Sequence, residues 1–132
     1  MEMINKEERK AVVKRLYSLA YWFTNEMFND EEKGARNKAR FEKECKEKPG
    51  EVIMMVDCSE NNARVMKSCL KETRDAINFL KNAEYDVELW QLAGINAMLD
   101  QCNTENIIPF DLPSAIKGLL CMHIICEEQP EE

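Results

Sequence analysis

Apolar residues recur every three or four positions through the first 28 residues, which is the spacing of one face of an α-helix. This period is kept by Val12, Leu16, Leu19, Phe23 and Met27. The solvent-exposed side of the same helix is predicted to consist of Arg9, Lys10, Lys14, Arg15 and Asn25. Residues 5–28 are therefore predicted to be helical. Because the apolar face is wide, we expect this helix to contact more than one neighbour.

A second helix is predicted to begin at Asn29 and Asp30, since both are favoured N-cap residues. It should run to about Lys48 and end at Pro49, followed by glycine. Between Lys33 and Lys48 seven positions are Lys or Arg and only two carry sizeable apolar side chains, so this helix can bury little surface.

Three more helices follow from periodicity and capping signals. Asp57, with an acidic residue three positions later, predicts the start of a helix that continues to residue 81. Residues 86–102 are apolar around most of a helix, and we expect this helix to be the central element. Pro113 suits the first turn of a last helix over 114–126.

These elements predict one all-α domain over residues 1–132, a compact bundle of four to five helices with a frayed acidic tail at 127–132. Short apolar runs are ambiguous between helix and strand. Residues 51–56 and 119–126 could therefore form a two-stranded β element instead, which would make the fold α+β. We favour the all-α alternative.

The distribution of charge limits the classes of partner. The chain carries 18 basic and 25 acidic residues, a net charge of −7. Residues 1–48 have 12 basic and 10 acidic groups, whereas residues 49–132 have 6 and 15. An acidic half disfavours direct binding to nucleic acid or to an anionic membrane, and no apolar run approaches the ~20 residues of a membrane span. The acidic half instead suits binding to a basic partner, or contact with this chain's own basic segment.

The six cysteines bear on the cellular compartment in which the protein resides. The first ten residues are too polar for a secretory signal, so we expect a cytoplasmic protein with buried, reduced thiols. Cys121, His123 and Cys126 offer three potential zinc ligands within six residues. Spacings of two and five do not converge well on a helix, so we interpret these three residues as part of the core and predict no metal.

Acidic residues on the third helix provide the one enzyme-like pattern. Glu72, Asp75 and Asn78 lie one helical turn apart, and three oxygen ligands on one face suit Mg²⁺. This segment resembles the second metal motif of the all-α nucleotide pyrophosphohydrolases, in which an acidic ExxD precedes an apolar turn. The resemblance implies an earlier ExxE on a partner helix, for which Glu44 and Glu47 are the candidates. A solvated face accounts for the same pattern, and we favour it, with i,i+3 and i,i+4 contacts among Lys71, Glu72, Arg74 and Asp75.

Two groups of residues are candidates for binding a partner. Aromatic residues near the end of the first helix exceed what one helix can bury in so small a domain, and so predict a contact patch. They are Tyr17, Tyr21, Trp22 and Phe28. A basic stripe on the second helix could dock on an acidic surface, including that of a second copy. It consists of Arg36, Arg40 and Lys43.

Nucleotide-binding and hydrolase signatures such as GxxxxGK[ST], GxGxxG, GxSxG and HExxH do not occur in the sequence. We therefore expect a small acidic interaction protein without a cofactor: a regulator, inhibitor or chaperone, similar in style to those encoded by phages and mobile elements. We expect it to bind a protein partner and to form a homodimer. The alternative is a Mg²⁺-dependent nucleoside-triphosphate pyrophosphohydrolase.

Overall fold

Four helices make up the part of the chain that the computed structural model describes, residues 5–82, 84–105 and 107–122. They are α1 (Lys6–Glu47), α2 (Ser59–Lys81), α3 (Leu89–Glu105) and α4 (Leu112–Leu120). Within these ranges there is no strand, which confirms the all-α bundle. No described helix has the length and apolar character needed to cross a membrane.

The alternative, a two-stranded β element of residues 51–56 and 119–126, does not form among the described residues. Residues 51–56 are extended but make no ladder, and residues 119 and 120 belong to α4. Val52, Met54 and Val56 are 97%, 84% and 87% exposed, so this segment leaves most of its apolar surface in solvent. Residues 123–126 and the predicted frayed tail at 127–132 lie outside the described residues.

The first helix does not end where the sequence predicted. Asn29 and Asp30 are interior residues of α1, whose 42 residues span about 63 Å. Asn and Asp cost a helix interior only about 0.7 kcal/mol relative to Ala, so they do not stop it. The helix ends one residue before Lys48, because Pro49 disfavours helical backbone at the residue before it.

The central element is α2, not α3 as predicted. It packs antiparallel to α1 along its length and also contacts α4, whereas α3 contacts only α1 and α4. The apolar residues of α3 are divided, since Leu92 and Ile95 are buried while Leu89 is 55% exposed. The largest buried apolar side chains of the core are Leu16, Phe23, Leu80, Leu92, Ile95, Ile116 and Leu120.

Arg9 is buried, at 1% exposure, although its position in the sequence predicted a solvent-facing residue. Its guanidinium donates hydrogen bonds to the carbonyl oxygens of Leu80 (3.3 Å), Asn82 (3.2 Å) and Tyr85. Burial lowers the pKa of Arg9, while the nearby charge of Asp86 raises it. The side chain therefore joins the start of α1 to the end of α2 and the connection after it. We call this contact the Arg9 clamp.

A second buried polar side chain, Gln91, holds the end of α4. Its Nε2 donates to the carbonyl oxygens of Leu119 (3.0 Å), Leu120 (3.3 Å) and Met122 (3.2 Å). Its Oε1 accepts a hydrogen bond from the backbone N–H of Glu88 at 2.8 Å, as the third residue of a helix does in a capping box. Gln91 thus satisfies free backbone groups at the start of α3 and at the end of α4.

Asp57 lies just before α2, which begins at Ser59 with Cys58 as its N-cap residue, so the predicted capping box is wrong; Asp57 instead fixes the start of α2 to α1. Its carboxylate accepts a hydrogen bond from the backbone N–H of Ser59 at 3.0 Å. Hydrogen bonds from Ser59, then from Asn37, together with the charge of Lys33, lower the pKa of Asp57 below its ordinary value of 3.8. Because Asn37 and Lys33 belong to α1, the charged carboxylate links the two helices.

Replacing Asp57 by asparagine tests this link through its pH dependence. A carboxylate whose pKa is lowered by folding stabilises the native state above its ordinary pKa and loses that contribution as the pH falls below it. Asn keeps a hydrogen-bond acceptor but no charge. We therefore expect wild type to exceed Asp57→Asn in urea midpoint at pH 6, with the difference shrinking below about pH 3.8. Glu42→Gln, at an exposed position of α1, controls for net charge. An equal difference at pH 3 and pH 6 would contradict the assignment.

Candidate partner-binding surface on the first helix

Three aromatic side chains form an exposed stripe on α1, which we call the aromatic ridge. Tyr17, Tyr21 and Phe28 are 50%, 70% and 57% exposed. Their spacings of four and seven residues place them on one side of the helix. The sequence predicted this surplus of aromatic residues, and the structure leaves at least half of each of the three in solvent.

Trp22, which the sequence placed with these residues, lies on a different side of α1. It packs edge-to-face on Phe23, with ring centroids 5.2 Å apart, and is only partly exposed. It also lines a cavity of about 360 Å³ with Leu99 and Ile108, so it belongs to the contact of α1 with the later helices. A change at Trp22 therefore tests stability more than partner binding.

Four lysines surround the first residue of the ridge. Lys6, Lys10 and Lys14 of α1 and Lys81 of α2 line a cavity of about 400 Å³, whose remaining walls are Val13 and Tyr17. We call this the lysine groove. The Nζ of Lys81 donates to the Tyr17 hydroxyl at 3.2 Å and lies 5.9 Å from its ring centroid.

The lysine groove is positively charged on a protein whose net charge is negative. Within the described ranges, none of its four ammonium groups forms an ion pair. It can therefore receive an anionic group without breaking an existing pair. The sequence did not single it out: the i,i+4 spacing of the first three lysines was readable, but only the packing of α2 on α1 brings the fourth beside them.

The predicted basic stripe is separate from the aromatic ridge. At 100° per residue, Arg36, Arg40 and Lys43 lie about 90° around the helix axis from the ridge and on the far half of α1. Arg36 pairs with Glu32 at 3.3 Å, and Lys43 pairs with Glu47 at 3.8 Å. Two of its three charges are therefore already neutralised, and the two predicted groups do not form one surface.

The acidic residues of α2 are bound by α4. Glu72 accepts a hydrogen bond from the Ser114 hydroxyl, and Asp75 forms an ion pair with Lys117 at 3.2 Å. The contacts predicted along α2 with its neighbouring basic residues are therefore wrong, because α4 supplies the partners instead. Asn78 is exposed. These acids contribute to the contact between α2 and α4.

The two acidic pairs of the pyrophosphohydrolase resemblance are far apart. A methyl group placed on Gly34 would lie 3.3 Å from the Cβ of Ser59, which fixes the register of the antiparallel α1 and α2. Glu44 is ten residues beyond Gly34 and Glu72 is thirteen beyond Ser59, in opposite directions, so about 35 Å separates them at 1.5 Å per residue. Glu44 and Glu47 pair instead with Lys48 and Lys43. Among the described residues, no three His, Cys, Asp or Glu side chains lie close enough to share a metal ion.

The cysteines are less buried than predicted. Within the described ranges, Cys45, Cys58 and Cys121 are exposed free thiols, Cys102 is partly exposed, and only Cys69 is buried. Burial, followed by the charge of Glu72, raises the pKa of Cys69, and its thiol donates to the Phe110 carbonyl oxygen at 3.2 Å. His123 and Cys126 of the possible zinc set lie outside the described residues.

No protein-family model matches this chain, and no curated protein or solved structure is significantly similar to it. A proposal about its function therefore depends on the surface geometry described above.

Proposed function

We propose that this chain is a non-catalytic interaction protein, of the regulator, inhibitor or chaperone type, which binds a protein partner through the aromatic ridge. The observation that carries the proposal is the exposure of Tyr17, Tyr21 and Phe28 on one side of α1. Aromatic residues are enriched at protein–protein interfaces, where their large apolar area is removed from water. Three of them on one side of a helix match the helix-in-groove mode of recognition.

The chemistry of the chain narrows the kind of partner and compartment. Its net charge of −7 opposes nucleic acid and anionic membranes as the main target. The apolar ridge suits a partner with an apolar groove of its own. Free thiols, three of them exposed, suit a reducing compartment, so we propose a cytoplasmic location.

Replacing both Tyr21 and Phe28 by serine is expected to abolish partner binding while leaving the fold intact. Both side chains are mostly exposed, so their loss removes little buried area. A buried aromatic anchor contributes about 2 kcal/mol or more to an interface, so the double change should weaken binding at least about a hundredfold. Proteins retained from a host lysate by wild type and lost by the variant would be identified by quantitative mass spectrometry. The affinity of the purified candidate would then be measured by calorimetry.

The matched control is Phe110→Ser, because Phe110 is 54% exposed and lies outside α1. Its binding should equal that of wild type. If the double variant retains the same proteins with the same affinity as wild type, the ridge is not the binding surface.

A further inference from the structure

Two surfaces of opposite charge lie at the same end of the molecule. One is the lysine groove. The other consists of Glu84, Asp86 and Glu88 in the connection between α2 and α3, all exposed, and we call it the acidic edge. Lys81 is only three residues from Glu84, yet its ammonium group binds the Tyr17 hydroxyl and not a carboxylate. Within the described residues, no ion pair joins the lysine groove to the acidic edge.

The relative position of the two surfaces is fixed by buried contacts. The Arg9 clamp binds carbonyl oxygens on both sides of the acidic edge's first residue, at Asn82 and Tyr85. The Asn5 side-chain amide also donates to the Val87 carbonyl oxygen at 2.7 Å. The start of α1, which carries three of the four lysines, is therefore held directly against the connection that carries the acids.

Each surface also contains apolar area. Tyr17 in the lysine groove is 50% exposed, and Tyr85 and Leu89 beside the acidic edge are 46% and 55% exposed. Tyr85 is held in place by stacking on Phe79, with ring centroids 4.4 Å apart. An apolar centre with a charged rim is the usual composition of a protein–protein interface.

We propose that the lysine groove binds the acidic edge of a second copy of this chain, in a closed two-fold dimer. In such a dimer each copy contributes the same surface. The lysine groove of each copy therefore faces the acidic edge of the other, and this contact occurs twice, once on each side of the two-fold axis. Charge complementarity selects a second copy over an unrelated acidic protein, since the matching acids are already held beside the lysines. Tyr21 and Phe28 lie outside this interface, so the proposal goes beyond partner binding by the ridge and can fail separately from it.

Charge reversal on either surface should dissociate the dimer. We expect Lys10→Glu with Lys14→Glu, or Glu84→Lys with Glu88→Lys, to raise the dimer Kd at least about tenfold, because attraction becomes repulsion. Sedimentation velocity over a concentration series in 50 mM and 500 mM NaCl measures the Kd, and higher salt should weaken the wild-type dimer. Lys38→Glu with Lys46→Glu is the matched control for the lysine variant, since it changes the net charge by the same amount at exposed positions on the far half of α1 and should leave the Kd unchanged. Circular dichroism confirms that each variant is folded.

Mixing the two reversed proteins gives the decisive result. Each reversed surface is complementary to the other variant's reversed surface, so an equimolar mixture should form a heterodimer although neither variant dimerises alone. A monomeric wild type at every concentration up to about 1 mM would overturn the proposal and leave the groove to another acidic ligand. A mixture that stays monomeric would overturn it as well. Wild-type species larger than a dimer would overturn the closed two-fold arrangement.

Discussion

Replacing Arg9 by methionine is expected to lower the free energy of unfolding by about 3 kcal/mol, a large share of the stability of a domain this size. The change leaves the carbonyl oxygens of Leu80, Asn82 and Tyr85 without their shared donor. A buried polar group that loses its only partner costs about 1–3 kcal/mol. The Asn82 carbonyl oxygen keeps a hydrogen bond from the backbone N–H of Tyr85 at 3.2 Å, so the loss falls mainly on the carbonyl oxygens of Leu80 and Tyr85, and an opposing contribution reduces it further.

The opposing contribution comes from Arg9 itself. Its Nε is buried and has no hydrogen-bond partner among the described residues, and burial of the charge lowers the pKa of Arg9. Methionine is of similar length and removes both penalties, which is why we expect about 3 kcal/mol and not the full sum of three lost contacts. Arg9→Lys should be intermediate, because one ammonium group cannot reproduce the planar fork that reaches three carbonyl oxygens.

Urea denaturation followed by circular dichroism measures this effect. Lys71→Met is the matched control, since it removes a positive charge from an exposed position of α2 outside the lysine groove and should change the free energy of unfolding by less than about 0.5 kcal/mol. If Arg9→Met loses less than about 1 kcal/mol, the clamp contributes no more than an ordinary surface contact.

Replacing Gln91 by leucine is expected to cost about 2–3 kcal/mol. Leucine fills the space but leaves the carbonyl oxygens of Leu119, Leu120 and Met122, and the N–H of Glu88, without the partner they share. Because these groups close the end of α4 and the start of α3, both helices should fray in the variant. Thermal and urea denaturation measure the loss, and Asn103→Leu, at an exposed position of α3, is the control.

Gln91→Glu separates the loss of hydrogen bonds from a packing effect, because the two side chains have nearly the same shape. A carboxylate facing three carbonyl oxygens is repelled by them, so folding should raise the pKa of this glutamate. A group whose pKa is raised by folding favours the native state when protonated and loses that contribution as the pH rises. The variant should therefore be closer to wild type at pH 4 than at pH 7. A variant as stable as wild type at both pH values would mean that Gln91 acts only through its volume.

Periodicity and capping residues located the helices well where each had an apolar stripe of its own. The span of α2 follows from Asp57 and from the regular apolar positions up to Lys81. The break predicted at Asn29 and Asp30 failed because cap residues only permit a helix to start, and nothing there forces one to stop.

The buried polar contacts could not be read from the sequence. The pattern of apolar and polar residues along a helix predicts that arginine and glutamine face solvent. Arg9 and Gln91 are instead buried, where helix ends leave backbone carbonyls without partners. Which carbonyls they bind depends on how α2, α3 and α4 pack, and that is not a local property of the chain. The lysine groove has the same origin: Lys81 is remote in sequence from the other three lysines and joins them only in the folded bundle.

The two halves of α1 are held very differently, with consequences for how the molecule opens. Its buried residues all lie between Arg9 and Phe23. The hydrogen bonds of Arg9 and Gln91 lie at the same end of the bundle. The remaining half packs on the first turns of α2 and on the connection before it, through partly exposed residues such as Gly34 and Phe41. Local unfolding follows the least buried contacts. The far end of α1 and the connection after it should therefore unfold together, while the end of the bundle that holds Arg9 and Gln91 stays folded.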